Sequence, residues 1–392
     1  MKLVKLSLAA LIAAGALSSV ASAKPLDEAI KNVDINGFLR VRYTNDHQKD
    51  GETADTKYNF RAVLDSKITI DDNFFAVLGL DYSANDIANN KDGNTETRVD
   101  KGAANLAIDN FYLGYSAGNT TVLAGRQAVG AFWTDDMLGT GLKVLNSDIP
   151  GLTLAALWMD SLEADGDINT KDLVNPKDKK HVMDHDLYGV AAMGSFDPVS
   201  FQLWYAKLED VTDLLGGQFN LDFAVNDDVK FGFVGQASFT KFDNKFFKGT
   251  VDDGLFWATE LNTELYGFDA AVGYVNYSTD KGKKSLASFE DKGQLLAAGE
   301  QIGDNYSKYT GDNAYIYGVA GYTINGLVRI GVDYAQGKFE DKSLKVKEIV
   351  PRVKYKYDDS LTFSSYYSMA ELKEDGEKTK NNEFRLEAKY SF

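Results

Sequence analysis

The residues with the clearest capacity for charge chemistry are two adjacent carboxylates and a group of basic side chains. Asp135 and Asp136 lie in the segment GAFWTDDML, residues 130–138, where only Thr134 separates them from Phe132 and Trp133. Two large apolar rings favour packing against protein, which would fix the position of the carboxylates that follow. The basic group consists of Arg40, Arg42, Arg61, Arg126 and Lys143. Carboxylates that face cationic side chains across water produce a transverse electric field. This pattern therefore predicts a charged constriction in a water-filled pore.

Enzymatic chemistry is poorly supported by the same sequence. The three histidines, His47, His181 and His185, all lie in polar connecting segments. No nucleophile motif accompanies them, and a segment rich in Asp and Lys does not predict a helix that would bring His181 and His185 onto one metal. Cysteine is absent, which excludes disulfides and a lipid anchor on Cys. We therefore expect a protein that is not an enzyme.

The elements that would position the charged side chains are β-strands. The last eleven residues alternate between apolar and polar side chains, which is the period of a strand. One face would present Phe384, Leu386, Ala388, Tyr390 and Phe392, and the other Glu383, Arg385, Glu387, Lys389 and Ser391. Similar alternation recurs at 58–70, 218–225, 229–240 and 328–335. The apolar face packs on a core in a soluble sheet, whereas in an outer-membrane barrel it faces lipid.

The connections between these segments favour the membrane barrel. Short turns are predicted at 71–73, 117–119, 147–151, 197–198, 226–228, 267, 325–326 and 358–360. Longer polar connections alternate with them at 44–57, 85–103, 130–138, 162–185, 210–216, 243–254, 280–313, 338–344 and 373–381. Short turns at one end and long loops at the other are typical of outer-membrane barrels.

The sequence therefore predicts an all-β fold, a transmembrane antiparallel β-barrel of about 18 strands, with 16 as the alternative count. We expect the third external loop, residues 130–138, to fold inward as the constriction. The loop at 280–313 is long for a simple tip, so we expect it to lie outside the barrel or to face the pore.

Two segments interrupt the alternation. In residues 104–115, Asp109 shares parity with Phe111 and Leu113, which predicts a β-bulge. Pro351 lies inside a predicted strand at 345–357, where it indicates either a bulge or an edge at a subunit contact.

The amino terminus predicts export. Residues 1–23 combine Lys2 and Lys5, an apolar run and the small-residue site Ala21-Ser22-Ala23, as in a cleaved secretory signal. The remaining residues, 24–392, show no linker and are predicted to form a single barrel domain in the outer membrane. The formal net charge of −16 disfavours nucleic acid as a partner and favours cations near the protein.

Several motifs together resemble the Campylobacter-type major outer membrane porin family. They are the amino-terminal MKLVKLSLAALIAAGALS, PLDEAIKNVDINGFLRVRY, the run WTDDMLGTGLKVLNSDIPGLTLAALWMDS and the later SFEDKGQLLAAGEQI. The resemblance implies a trimer of 18-stranded barrels, a cation-preferring general diffusion pore and a calcium ion at the constriction. The family's calcium ligands would correspond to Asp135, Asp160 and Glu290, with Asp291 and Glu300 as alternatives to Glu290.

The function expected from the sequence is passive diffusion of small hydrophilic solutes and ions through an outer-membrane porin with cation preference. Outer-membrane lipid and lipopolysaccharide would surround the homotrimer. Two alternatives stay open. Aligned inward Arg and Lys side chains favour a channel that selects particular solutes, and the long external loops favour a surface protein with a structural or adhesive role.

Overall fold

The computed structural model describes residues 33–48, 53–88, 104–163, 184–243, 251–297, 299–302, 310–340, 343–374 and 376–392. These residues form eighteen β-strands in chain order: β1 Val33–Gln48, β2 Thr53–Thr69, β3 Phe74–Ala88, β4 Ala104–Ala117, β5 Thr120–Ala128, β6 Leu138–Asn146, β7 Leu152–Leu162, β8 Leu187–Phe196, β9 Val199–Leu208, β10 Thr212–Asn226, β11 Val229–Phe242, β12 Gly254–Leu265, β13 Phe268–Thr279, β14 Asn313–Ile324, β15 Val328–Phe339, β16 Lys345–Lys356, β17 Leu361–Glu374 and β18 Glu377–Ser391. The predicted signal at 1–23 lies outside the described residues.

The strands close into one antiparallel barrel. Each strand pairs with its neighbours in sequence, and β1 pairs with both β2 and β18. The last strand therefore completes the cylinder, with Phe38 opposite Ser391 and Gln48 opposite Asn381. Closure removes the exposed edges that an open sheet of this size would leave. The predicted barrel and the count of 18 strands are confirmed.

The wall presents apolar side chains outward. On β1 the outward residues Leu39 and Val41 are 52% and 46% exposed, while Arg40 and Arg42, which alternate with them, point inward. This alternation gives a lipid-facing surface around a polar interior, as membrane β-barrels require. Among the described residues, no helix is long and apolar enough to cross a membrane.

Turns and loops alternate along the chain as the sequence predicts. The strands, however, extend further than expected at the loop end, because β10 already begins at Thr212 and β17 pairs with β18 as far as Glu374 opposite Glu377. The predicted loops at 210–216 and 373–381 are therefore too long. Above the bilayer water covers both faces of a strand, so apolar alternation no longer marks its end.

The two predicted irregularities have different outcomes. A bulge is present in β4, where Ile108 and Phe111 pair with Leu80 and Leu78, so Asp109 and Asn110 oppose a single residue. Pro351 causes no bulge, because the register between β16 and β17 is the same on both sides of it. Pro351 pairs with Val332 on β15, and the ladder to β17 is interrupted beside it, as expected for a residue without an amide hydrogen.

The largest buried cluster lies inside the barrel. It combines inward side chains of the barrel wall with two chain segments that fold into the lumen. These are residues 129–137 between β5 and β6 and residues 285–302 between β13 and β14, of which residue 298 is not described. We call these two segments the plug. They cover the inward faces of β6 to β16, which we call the covered wall; the inward faces of β17, β18, β1 and β2 form the open wall.

Candidate functional site: a charged eyelet

The first plug segment is fixed by its aromatic residues. Phe132 and Trp133 are fully buried, and the Trp133 indole Nε1 donates a 2.7 Å hydrogen bond to the Ser238 hydroxyl on β11. The Trp133 ring also makes an edge contact with Phe289 of the second segment. Because β11 is five strands from β6 around the barrel, this loop reaches well into the lumen. The predicted inward fold of the third loop is confirmed.

Glu290 joins the two plug segments. One carboxylate oxygen, Oε2, accepts the backbone N–H groups of Asp135, Asp136 and Met137 at 2.9, 3.0 and 2.6 Å. Glu290 itself is only 2% exposed. Burial and the adjacent Asp136 carboxyl raise the pKa of Glu290 to about 8, although the backbone amide donors act in the opposite direction. Glu290 therefore holds the two acidic residues of the loop in place through their backbone.

The second plug segment spans the lumen. Near its start, the Leu286 carbonyl accepts a 2.5 Å hydrogen bond from Thr240 on β11. Further along, the Gln301 side chain donates to Ser368 on β17 at 2.6 Å and to the Asn381 carbonyl on β18 at 3.4 Å. The segment thus runs from β11 to the edge of the open wall, and its position limits the free cross-section of the pore.

A continuous band of guanidinium groups lies on and beside the open wall. We call it the arginine belt: Arg352 on β16, Arg385 on β18, Arg40 and Arg42 on β1, and Arg61 on β2. Arg352 and Arg385 both lie over the Tyr366 ring, at 5.6 and 5.0 Å from its centroid. Carboxylates and amides of the same wall hold the belt in place.

The ion pairs of the belt leave it partly accessible to water. Arg42 donates to Glu387 at 2.7 Å, Arg40 donates to Asn59 at 2.9 Å, and Arg61 lies 2.5 Å from Asp81. The side chains of Arg42 and Arg61 are both 28% exposed.

Two bridges connect the plug to the belt. Arg61 lies 3.5 Å from the Asp136 carboxylate, and Arg352 lies 2.7 Å from Glu300. In the strand order the bridges flank β17, β18 and β1. The space bounded by the plug and this part of the open wall is the eyelet. Asp135 and Asp136 are exposed at its acidic edge, and the belt forms its basic edge.

Among the predicted constriction residues, Arg40, Arg42 and Arg61 line the eyelet together with Asp135 and Asp136. Lys143 does not line it. Its side chain points inward but is covered by the plug, with 5% exposure, and its Nζ donates to the Ala128 carbonyl at 2.6 Å.

Arg126 also lies elsewhere. It pairs in register with Phe111, which is 66% exposed on the lipid-facing side, and its guanidinium donates to the Ile108 carbonyl at 3.0 Å. The inward residue next to it on β5 is Gln127, which is only 2% exposed. Arg126 therefore lies on the outward face of β5, and Arg61 rather than Arg126 opposes Asp136.

Sequence reasoning missed three residues: Arg352 and Arg385, which belong to the arginine belt, and Glu348, which is buried behind the plug. The first two follow the same parity rule as Arg40. Glu348 had a separate signal, since it lies between the inward apolar residues Val346 and Val350. A single carboxylate in an otherwise apolar inward face indicates a specific partner.

The calcium ligands implied by the family resemblance are only partly brought together. Glu290 accepts the backbone N–H of Asp135 at 2.9 Å, so two of the three implied ligands lie close together. Asp160 lies exposed at a β-bulge of β7, opposite the step between Thr140 and Gly141. Within the described part of the chain, no group of three or more acidic or histidine side chains has an arrangement that could hold a metal ion.

A closed barrel of 18 strands, an inward plug and a charged eyelet together define an outer-membrane porin. The chain belongs to the Campylobacter major outer membrane protein family, whose model matches residues 1–392, the whole chain. The resemblance seen in the sequence motifs is therefore confirmed, and with it the location in the outer membrane. No curated protein matches the chain.

Solved structures with a similar fold include outer-membrane porins of the Occ and OprD type. Acinetobacter baumannii OccAB3 has a TM-score of 0.71 and 13% identity, over 92% of this chain and 99% of that chain. Pseudomonas aeruginosa OprD has a TM-score of 0.69 and 16% identity, over 96% and 98%. Pseudomonas aeruginosa OpdL has a TM-score of 0.72 and 13% identity, over 92% and 99%. At these identities the similarity shows the fold alone.

Proposed function

We propose that this porin passes small hydrophilic solutes and ions by passive diffusion and has no enzymatic activity. The observation that carries the proposal is the eyelet, where a plug narrows the lumen against a charged and water-accessible wall. Solutes would be filtered by their size at the plug and by their charge at its two edges.

We further propose a modest preference for cations. Asp135 and Asp136 present exposed carboxylates at the edge of the plug, and the formal net charge of the chain is −16. The arginine belt opposes them across the eyelet, so the field runs across the pore and the net preference is small. In such a field a dipolar solute orients as it passes.

Passive diffusion is tested by the swelling of proteoliposomes in uncharged sugars of increasing size. We expect rates that rise linearly with sugar concentration and fall smoothly with sugar size. Folded protein that gives no swelling would contradict the pore, and rates that saturate would contradict simple diffusion.

A second candidate function is a channel that selects solutes with anionic groups. The observation that favours it is the arginine belt, because guanidinium groups bind carboxylate and phosphate by paired hydrogen bonds. Flux of one anionic solute that saturates, and that a second anionic solute competes with, would support this candidate over general diffusion.

Calcium at the constriction and a homotrimer remain proposals that rest on the family. The Asp136–Glu290 pair offers two carboxylates to a calcium ion, which prefers oxygen ligands, and Asp135 is adjacent; Asp160 is the remaining predicted ligand. We expect protein washed thoroughly in buffer without metal to retain calcium, and Glu290→Gln to retain less. Asp359→Asn, at a turn side chain that is 99% exposed, is the control. Equal calcium in all three proteins would remove the site.

A further inference from the structure

Glu348 is a buried carboxylate of the covered wall that does not face the eyelet. It lies on β16 with 0% exposure. Its oxygens accept the backbone N–H groups of Glu300, Gln301 and Ile302 at 2.9, 3.2 and 3.1 Å, and the Ser368 hydroxyl at 2.6 Å. Three consecutive amides therefore converge on one side chain of the barrel wall.

Such an arrangement holds a chain segment firmly. A buried carboxylate is costly unless its oxygens are hydrogen-bonded, and bonds to an ionised acceptor are roughly twice as strong as neutral ones. Because the donors are backbone groups, the contact fixes the path of the chain and not just one side chain. Removing the acceptor would leave three amides in the lumen without their present partner.

The loop is shaped to fit this carboxylate. Gly299 has φ +78°, a conformation that favours glycine, and a methyl group at its Cα would overlap the Glu348 carboxylate. Glu300 follows directly and forms the bridge to Arg352 at the edge of the eyelet. Any displacement of residues 299–302 therefore moves one boundary of the eyelet.

We propose that Glu348 is the positioning residue that sets the width of the eyelet, by anchoring the far end of the plug to the barrel wall. It acts on solutes only through the segment it holds. The inference rests on the proposed pore function, since eyelet width matters only if solutes pass.

The test compares two variants that disturb the same contact from opposite sides. Glu348→Gln replaces one acceptor oxygen by an amide that faces backbone donors, and Gly299→Ala forces the loop off the carboxylate without changing the wall. Two matched controls leave the contact intact. Glu340→Gln changes a carboxylate that holds the Asp312 amide at the outer end of the same loop, and Gly282→Ala changes a glycine with φ +71° and no neighbour within 4 Å of an added methyl group.

Each purified protein would be measured by single-channel conductance and by the largest polyethylene glycol that enters the pore. We expect Glu348→Gln and Gly299→Ala to raise conductance roughly twofold, with more open-channel noise and a larger size limit, because conductance follows the free cross-section of the narrowest part. The controls should match the unmodified protein. Heat-modifiability on gels checks that every barrel is folded.

The outcomes separate this inference from the proposed function. If the unmodified, folded protein does not conduct, the pore itself is contradicted. If it conducts, and Gly299→Ala or a folded Glu348→Gln leaves conductance, noise and size limit unchanged, Glu348 does not position the plug. An equal rise in the two controls would also overturn the assignment, because the effect would then belong to the loop in general.

Discussion

The covered wall and the open wall belong to the same barrel, yet their inward faces have opposite chemistry. On the covered wall, inward residues such as Leu157, Leu214 and Phe256 are buried against the plug. On the open wall, the inward positions of β18 and β1 carry Arg385, Arg40 and their ion-pair partners. The comparison shows that the inward residues of a strand match what lies beside them in the lumen, either water or the plug. A strand that faces water inside the barrel is polar, and one that faces the plug packs like a protein core.

The largest effect on the channel is expected for Trp133→Ala, which removes the central ring of the plug. Truncating a fully buried Trp typically costs about 3–5 kcal/mol. We expect the first plug segment to lose its fixed position, so that mean conductance and open-channel noise both rise. Trp158→Ala is the matched control, because that ring is 37% exposed and its Nε1 donates to Asp186 outside the plug. Equal channel behaviour in the two variants would contradict the plug.

Neutralising the open wall should shift ion selectivity. With Arg40→Gln and Arg42→Gln combined, the cation-to-anion permeability ratio should rise. One unit charge at 4 Å in water contributes about 1 kcal/mol, or roughly fivefold in local ion concentration, as an upper limit. Lys143→Gln neutralises a covered cation, so its reversal potential in a salt gradient should not change. A shift of equal size for Lys143→Gln would mean that the covered wall also faces the pore.

Neutralising the acidic edge should change the permeability ratio in the opposite direction. The change should be smaller, because Asp136 is already paired with Arg61. Asp135→Asn combined with Asp136→Asn should lower the cation-to-anion permeability ratio, measured by the same reversal potential. Asp359→Asn, at a turn remote from the plug, serves as the control. An unchanged reversal potential in the double variant would remove these carboxylates from the selectivity mechanism.

Ser238→Ala should have the smallest effect. It removes only the acceptor of the Trp133 indole and leaves the aromatic packing in place, which costs about 1 kcal/mol. We expect a slight rise in open-channel noise with unchanged selectivity. A rise as large as that of Trp133→Ala would show that the hydrogen bond, and not the ring packing, fixes the loop.

The open wall could be predicted from the sequence because its environment is simple. Lipid on one side and water on the other impose strict alternation, so the strands of this wall and the inward Arg40, Arg42 and Arg61 follow from residue polarity alone. The inward fold of the loop at 130–138 could also be predicted, because its adjacent Phe132 and Trp133 require a protein surface to cover them.

The covered wall could not be predicted in the same way. Its inward residues are apolar because a distant segment, residues 285–302, packs on them, and no local pattern reveals that contact. The sequence predicts Arg126 and Lys143 at the constriction, but Arg126 lies on the outward face of β5 and the Lys143 side chain is buried. Glu348 is marked in the sequence only as a carboxylate on an apolar inward face. The partners of Glu290 and Glu348 could not be predicted, because they are backbone amides, which every residue except proline carries.

The most direct test of the porin is to record the unmodified protein in planar bilayers with a salt gradient across them. The account predicts stable single-channel steps and a reversal potential biased modestly towards cations. Folded, heat-modifiable protein that gives no conductance would contradict the pore, and a reversal potential biased towards anions would show that the arginine belt, rather than Asp135 and Asp136, governs the eyelet.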